Sequence, residues 1–183
     1  SKNITPVNTI YAHGFYDAKP TSDNGFICVG ADSSIINISG TYLEKLSKGR
    51  PSIVKLDSAG NKIWKASLNA NSVNSAFTSV LETSDGGFVT LGYISECCWD
   101  TAQVVIVKYN RNGLQQWQKK YGGTSSDYAF NIYKTKTNGF IVAGTTFSNN
   151  GDVIGNHGNG TSDVWILRLD DNGDVIWKKC FGG

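Results

Sequence analysis

The sequence has no methionine, only three prolines and only two histidines among its 183 residues. Its 17 basic and 15 acidic side chains leave a net charge of +2, and they are scattered singly. Nucleic acid is not an expected partner, because binding to a phosphate backbone needs clustered positive charge. The longest apolar runs are as short as VVIV at Val104 to Val107, so no transmembrane segment is expected.

Motifs for nucleophilic catalysis are also missing. No G-x-S-x-G element occurs. The four cysteines match neither a metal-ligand spacing nor a disulfide framework.

No signal peptide is visible at Ser1. Because the chain does not start with Met, the possibility that a targeting segment has been removed stays open.

The sequence does contain a motif that is repeated three times. Its copies are KLDSAGNKIWK, KYNRNGLQQWQ and RLDDNGDVIWK, which start at Lys55, Lys108 and Arg168. Each copy has Asp or Asn, a Gly three residues on and a Trp four residues after that. The Trp residues are 53 and 60 residues apart. A period of this length that carries several strands is typical of a propeller-type repeat array.

A second element, DNGFICVG, DGGFVTLG or TNGFIVAG, precedes each copy. In the third repeat, residues 127–135, 140–147, 164–169 and 174–180 have the character of four strands, and no segment shows a helical period. Asn138-Gly139 predicts a type I′ hairpin, and Asp170 to Gly173 predicts a bulged hairpin. The sequence therefore predicts an all-β, β-propeller-type repeat domain over residues 1–183. Its three four-stranded antiparallel blades lie at approximately 7–70, 73–123 and 127–183.

The repeated Trp and Gly have a mechanical interpretation. An indole at a fixed distance from a hairpin Gly can pack on the next blade and bury on the order of 200 Å². That area corresponds to at most roughly 5 kcal/mol of transfer free energy. The predicted docking residues are Trp64, Trp117, Trp177, Gly60, Gly113 and Gly173. The alternative is a ring of aromatic platforms for a ligand.

Three blades are fewer than the four to eight with which propellers close. The chain is therefore expected to be a fragment of a longer propeller or to pair with a second copy into six blades, a homodimer. An open three-blade array is the third alternative.

The D-x-x-G-x-x-x-W spacing resembles the tryptophan-docking motif of quinoprotein-type propellers. The whole unit, with its GG ending and the NNGDVIGNHGNGTSDVW loop, is similar to a repeat found in tandem in bacterial secreted and surface-anchored proteins. The resemblance covers about Val7 to Gly183. It implies the propeller fold and a secreted or cell-surface location, and it assigns no activity.

Segments that differ between the repeats lie between strands two and three, at 31–51, 93–103 and 145–163, and repeat proteins tend to bind partners there. In the second segment, Trp99 and Asp100 are candidate contacts. The adjacent Cys97 and Cys98 could close a disulfide. Quinone-dependent alcohol dehydrogenases carry such a pair beside their cofactor, but the rest of that match is missing. Two partly buried thiols or a rigid disulfide in the loop is the plainer interpretation.

The third segment supplies further binding candidates: Asp152, Asn156, His157 and Asp163. Oxygen ligands on a glycine-rich backbone could hold Ca²⁺, although the spacing is not that of an EF-hand loop. Asp and Asn beside Gly also simply make turns. No cofactor is expected, and Ca²⁺ is the one weak candidate.

The sequence therefore predicts a non-enzymatic extracellular recognition or scaffold module that binds a protein or glycan through these segments. One alternative is a lectin-like propeller closed by self-association. Another is part of a propeller enzyme, either quinone-dependent or glycan-active, and the latter would draw its carboxylates from Glu96, Asp100, Asp152 and Asp163.

Overall fold

The structure, a computed structural model, describes residues 14–34, 48–69, 74–95, 101–158 and 161–182. Over these ranges the chain is all-β and forms three four-stranded antiparallel sheets, as the sequence predicts. In each sheet the strands pair in chain order, so every sheet is a simple meander. The described ranges hold no helix that could cross a membrane.

The first sheet consists of β1 (Gly14–Pro20), β2 (Phe26–Ser34), β3 (Lys48–Leu56) and β4 (Lys62–Ser67). The second consists of β5 (Asn74–Glu82), β6 (Phe88–Ser95), β7 (Ala102–Tyr109) and β8 (Gln115–Tyr121). The third consists of β9 (Asp127–Lys134), β10 (Phe140–Thr146), β11 (Asp163–Leu169) and β12 (Val175–Phe181).

The bulged hairpin predicted at Asp170 to Gly173 is confirmed, whereas the type I′ turn predicted at Asn138-Gly139 is wrong. Asn138 and Gly139 have positive φ values of 63° and 79°, but Lys134 pairs with Phe140 and the Thr135 N–H donates to the Gly139 carbonyl at 3.0 Å, so the connection is longer than a two-residue loop. The Asp170 carboxylate accepts the backbone N–H of Asn172 and of Asp174, both at 2.8 Å, and Gly173 has a φ of 79°. Local residue chemistry therefore fixes both turns.

The three sheets stack face to face with the second sheet in the middle. One core cluster lies between the first and second sheets and includes Ile53 and Phe77; the other lies between the second and third and includes Leu91 and Trp165. The middle sheet is covered on both faces, which explains why β7 is almost continuously apolar instead of alternating. Burial of both faces supplies the main driving force for this order of sheets.

The segments between strands two and three are shorter than predicted. β2 and β3 continue to pair through Ala31↔Pro51 and Ser34↔Lys48, inside the range expected to be a loop. In the second sheet, pairing extends to Ser95↔Ala102. Backbone hydrogen bonds between adjacent strands continue past the point where the apolar pattern stops, because the ladder does not depend on side-chain type.

Candidate functional site

The connections between strands two and three all emerge at one end of the stack, which we call the connection end. The backbone N–H of Ala102, at the start of β7, donates to Ser126 Oγ, just before β9, at 3.3 Å. Similarly, a Cβ built on Gly49, near the start of β3, would lie 2.7 Å from the carbonyl oxygen of Ser75 on β5. The third strand of each sheet thus begins beside the first strand of the next.

Several candidates of the first two connections lie outside the described residues. Cys97, Cys98, Trp99 and Asp100 belong to the range 96–100, and the range 35–47 of the first connection is likewise outside. The disulfide and the Trp99 contact therefore stay predictions. The third connection is described at 147–158 and 161–162, and it carries the remaining candidates.

Side-chain amides hold the backbone of the third connection in place. Asn156 is 9% exposed, donates from Nδ2 to the carbonyl of Ser148 at 2.8 Å and accepts the N–H of Gly158 at 3.0 Å. Asn150 exchanges two hydrogen bonds with Thr124, which precedes β9. Asn156 thus braces the loop, and its amide is committed to that structural contact.

His157 and Asp163 form a pair at the base of this loop. Asp163 is 4% exposed and its Oδ2 accepts both the backbone N–H and Nδ1 of His157, each at 2.9 Å. These bonds, the backbone one foremost, hold the pKa of the Asp163 carboxyl below its ordinary value. The His157 side chain is 53% exposed, so its ring is oriented by the protein but faces solvent.

A buried carboxylate that sequence reasoning missed lies beneath the loop. Asp127 is fully buried and accepts hydrogen bonds from the Gly123 N–H at 2.7 Å, from Ser148 Oγ at 2.8 Å and from Thr146 Oγ1. It fastens the start of β9 to both the preceding Gly-Gly turn and the third connection. The available signal was its position two residues before Ala129, which places it on the buried face of the strand.

The described residues of the loop do not converge on a metal ion. Across the described ranges, no group of three His, Cys, Asp or Glu side chains is placed to hold one. The Asp152 side chain is 40% exposed and its nearest cation is Lys178 Nζ at 3.8 Å. The Ca²⁺ hypothesis therefore gains no ligand set from this part of the chain and stays a prediction.

The repeated Trp and Gly residues meet between neighbouring sheets. The ring of Trp64 lies against Gly113, where a Cβ would come within 2.7 Å of Cε3, and its Nε1 donates to the Arg111 carbonyl at 3.0 Å. The ring of Trp117 lies against Gly173 in the same way, at 3.1 Å. Each contact joins β4 or β8 to the last hairpin of the following sheet.

The end members of this series lack such a neighbour. Trp177 is 41% exposed, whereas Trp64 and Trp117 pack against the two core clusters. Gly60 has a φ of 83°, like Gly113 at 77°, yet nothing lies within 4 Å of a Cβ built on it. The structure therefore leaves one exposed indole at the third sheet and one open glycine at the first.

A second repeated device, also missed in the sequence, clamps the first hairpin of the first two sheets. Nearly buried Lys55 and Lys108 donate from Nζ to Asp23 Oδ1 at 2.9 Å and Asp85 Oδ1 at 2.8 Å. The pKa of Asp23 is held well below its ordinary value by the Thr21 hydroxyl and then by Lys55, and that of Asp85 by Lys108 first. The signal was T-x-D-x-G, repeated at 21–25 and 83–87.

The third sheet uses a variant of the same clamp. Arg168 takes the place of the lysine, and its Nη2 donates to the carbonyl of Asn138 at 2.6 Å and to Thr137 Oγ1 at 3.3 Å. Thr137 stands where the other two hairpins have Asp, so the longer guanidinium reaches the backbone instead of a carboxylate. The clamp is thus a structural part of the repeat and leaves the connection end free.

Two large apolar side chains on the third connection face solvent. Phe147 is 43% exposed and Ile154 is 66% exposed, on a backbone that the bonds of Asn150 and Asn156 hold. Together with His157 they give the described part of the connection end apolar and polar groups on a braced support. Apolar and polar groups presented on a rigid loop are available to contact a partner.

No protein-family model matches the chain, and a search of curated proteins gives no match. The similarity to tandem secreted repeats therefore depends on the motifs in the sequence.

Proposed function

We propose that this chain is a non-enzymatic recognition or scaffold module, built as part of a β-propeller, that binds a protein or glycan partner at its connection end. The observation that carries the proposal is the third connection. Its backbone is held by side-chain amides, and it presents Phe147, Ile154 and His157 to solvent beside the other two connections. Binding residues are commonly placed on loops that a rigid scaffold positions.

The stacking of the sheets supports a propeller arrangement. Three meanders of the same strand order follow one another, and the Trp of one sheet meets the hairpin Gly of the next at both junctions. Repetition of one junction between like sheets is the principle by which propeller blades surround an axis. The constant residues would thus build the array, while the variable connections confer binding.

The His157–Asp163 pair supports recognition over catalysis. An Asp–His pair is the base half of a triad, and a triad also needs a nucleophile on the second ring nitrogen. Asp163 already holds Nδ1, and the ring is 53% exposed to solvent. An exposed, oriented imidazole is a good hydrogen-bonding group for a polar ligand. The bacterial secreted or cell-surface setting is proposed from the sequence similarity alone.

A glycan array tests the proposal with matched variants. Ile154→Ala and His157→Ala should each weaken binding at least about tenfold if their side chains contact the ligand. The control is Leu114→Ala, because Leu114 is 65% exposed, as Ile154 is at 66%, but lies in the hairpin at the opposite end of the stack. Trp99→Ala examines the second connection in the same assay.

Binding on the array that all three site variants leave unchanged would contradict the proposed site. Saturable binding that the site variants abolish and the control retains would establish a lectin-like module. A silent array would exclude the glycan ligand, and the protein partner would then be sought with the same variants.

A further inference from the structure

The two outer sheet faces carry apolar side chains at several positions that are buried in the interior junctions. On the face of the second sheet that meets the third, Val104 and Tyr121 are 0% and 4% exposed. Strand register places Val164 and Phe181 at the corresponding positions of the third sheet, where they are 49% and 53% exposed. Within the described ranges, the outer face of the third sheet is therefore a copy of a buried face that no other sheet covers.

The outer face of the first sheet shows the same relation. Phe77 and Phe88, on the face of the second sheet that meets the first, are 0% and 1% exposed. Their counterparts by register are Phe15 and Phe26, which are 67% and 41% exposed. Exposure of this much aromatic surface marks an interaction site.

The two outer faces complement one another. The third sheet ends in an indole, Trp177, that contacts no hairpin Gly of a following sheet in the described part of the chain, and the first sheet presents Gly60 with open space above its Cα. A cavity of about 350 Å³ on the first sheet is lined by Gly30, Ser52 and Val54, and also by Asp32 and Lys65, which form an ion pair with each other. Its position on the first sheet corresponds to the place on the second sheet against which Leu68 packs in the interior junction.

Size complementarity accompanies this fit. Ser52 on the outer face of the first sheet takes the position that Val105 has in the junction between the first and second sheets. Phe181 on the outer face of the third sheet takes the position that Leu68 has in that same junction. A smaller side chain in the receiving face thus matches a larger one in the entering face. Volumes that compensate in this way are what close packing demands.

We propose that these faces dock on each other between two copies of this chain, with Trp177 of each copy on Gly60 of the other. The inference rests on the proposed propeller arrangement, in which two chains of three sheets each close into one ring of six sheets. In each junction the Trp177 Nε1 would donate to the Ser58 carbonyl, the equivalent of the Arg111 carbonyl that accepts from Trp64. Phe181 would fill the cavity beside Ser52.

The area of contact favours a closed pair over a single junction. Four strands of seven residues span roughly 450 Å² of flat sheet, from strand spacings of about 4.8 Å and rises of about 3.3 Å. Two junctions therefore cover roughly 900 Å² of each copy, which reaches the ≈ 800 Å² per partner of a stable interface. One junction alone provides about half of that.

Sedimentation velocity from about 1 to about 100 µM tests the pairing on the 183-residue chain. The expected mass is twice 19.8 kDa. Trp177→Ala removes the indole, and Gly60→Asn fills its seat with a residue that tolerates positive φ. Each should weaken pairing at least tenfold while the thermal melting of the diluted protein is retained. The matched control is Gly155→Asn, because Gly155 has a φ of 81° and equally open space but lies in the third connection.

Three results would overturn the proposal. The first is a monomer at about 100 µM, which would assign the faces to another occupant. The second is a mass that grows beyond the dimer with concentration, which would indicate open head-to-tail chains. The third is a dimer that Trp177→Ala abolishes and Gly60→Asn leaves intact, which would mean that two third sheets pair. Because mass is read without a ligand, failure here is separate from failure of binding at the connection end.

Discussion

Adding one methyl group at two equivalent glycines measures the contact between an indole and the next hairpin. Gly60 and Gly113 occupy the same hairpin position with φ values of 83° and 77°, so alanine meets the same backbone strain at both. The space around them differs. Nothing lies within 4 Å of the new Cβ at Gly60, whereas at Gly113 it would lie 2.7 Å and 2.8 Å from two ring carbons of Trp64.

The expected losses in the free energy of unfolding follow from the backbone strain and from the space around each glycine. Alanine at positive φ costs about 1 kcal/mol, and that is the full expected loss for Gly60→Ala. Gly113→Ala adds overpacking of about 1–3 kcal/mol, since the indole must move away from its seat. Movement also strains the bond of Trp64 Nε1 to the Arg111 carbonyl, which contributes about 1 kcal/mol. The expected loss for Gly113→Ala is therefore about 3–5 kcal/mol.

Urea unfolding, followed by circular dichroism and by tryptophan fluorescence, gives both values. The protein should be dilute enough to be monomeric, so that pairing through Gly60 does not contribute. Gly173→Ala should fall between the two, because its nearest neighbours, among them Tyr121 Oη and Trp117, lie at 3.0–3.2 Å. Equal losses for Gly60→Ala and Gly113→Ala would refute the view that Trp64 is seated on the glycine.

Two further changes test a buried hydroxyl and an exposed carboxylate that a nearly buried lysine holds. Tyr109→Phe should raise the free energy of unfolding by about 1 kcal/mol in urea titrations, because the buried Tyr109 hydroxyl has no hydrogen-bond partner among the residues that the structure describes; a loss above about 1 kcal/mol would show that the hydroxyl is bonded. Asp85→Asn should flatten the fall of melting temperature between about pH 5 and pH 2. The folded-state pKa of Asp85 lies below the unfolded value of about 3.9, so its stabilisation is present above that value and is lost as pH falls below it. An unchanged pH profile would contradict the clamp by Lys108.

Hairpins and sheet order could be predicted from the sequence because they depend on neighbouring residues. The positive φ values of Asn138 and Gly139 follow from residue type, although their connection is longer than the predicted type I′ turn, and the Asp170 carboxylate reaches N–H groups only two and four residues on. Such interactions are present in the sequence at short range. The same is true of the apolar alternation that identified each strand.

Which residues of β9 face the core could not be predicted in this way. Simple alternation from Asp127 to Thr135 places Phe130 and Ile132 on the same face, yet Phe130 is 52% exposed and Ile132 is buried. The register shift opposite Ala143 and Gly144 inserts an extra residue in β9 and reverses the face after it. A bulge is fixed by the partner strand: here a Cβ on Gly144 would lie 2.0 Å from the Tyr128 carbonyl.

The candidate site was predicted only in outline. The third connection was expected to supply Asp152, Asn156, His157 and Asp163, and the structure divides their roles. Asn156 supports the backbone, Asp163 is buried under His157, and Asp152 is half-exposed. Residue type gives no indication of this division, because Asp and Asn serve equally well as braces and as ligands.

Open outer faces were expected from the count of three blades, but the side chains that they expose became apparent only with the structure. The repeats carry the same residue types at the same positions, so the sequence does not distinguish an inner sheet from an outer one. Terminal units of a stacked array normally have a polar outer face, which keeps them soluble. Here Phe15 and Phe26 at one end and Val164 and Phe181 at the other keep the side chains of a junction, at 41% to 67% exposure. Both sheets therefore retain the residues of an interface instead of those of a cap, and a sheet built from the same repeat is the surface that fits them.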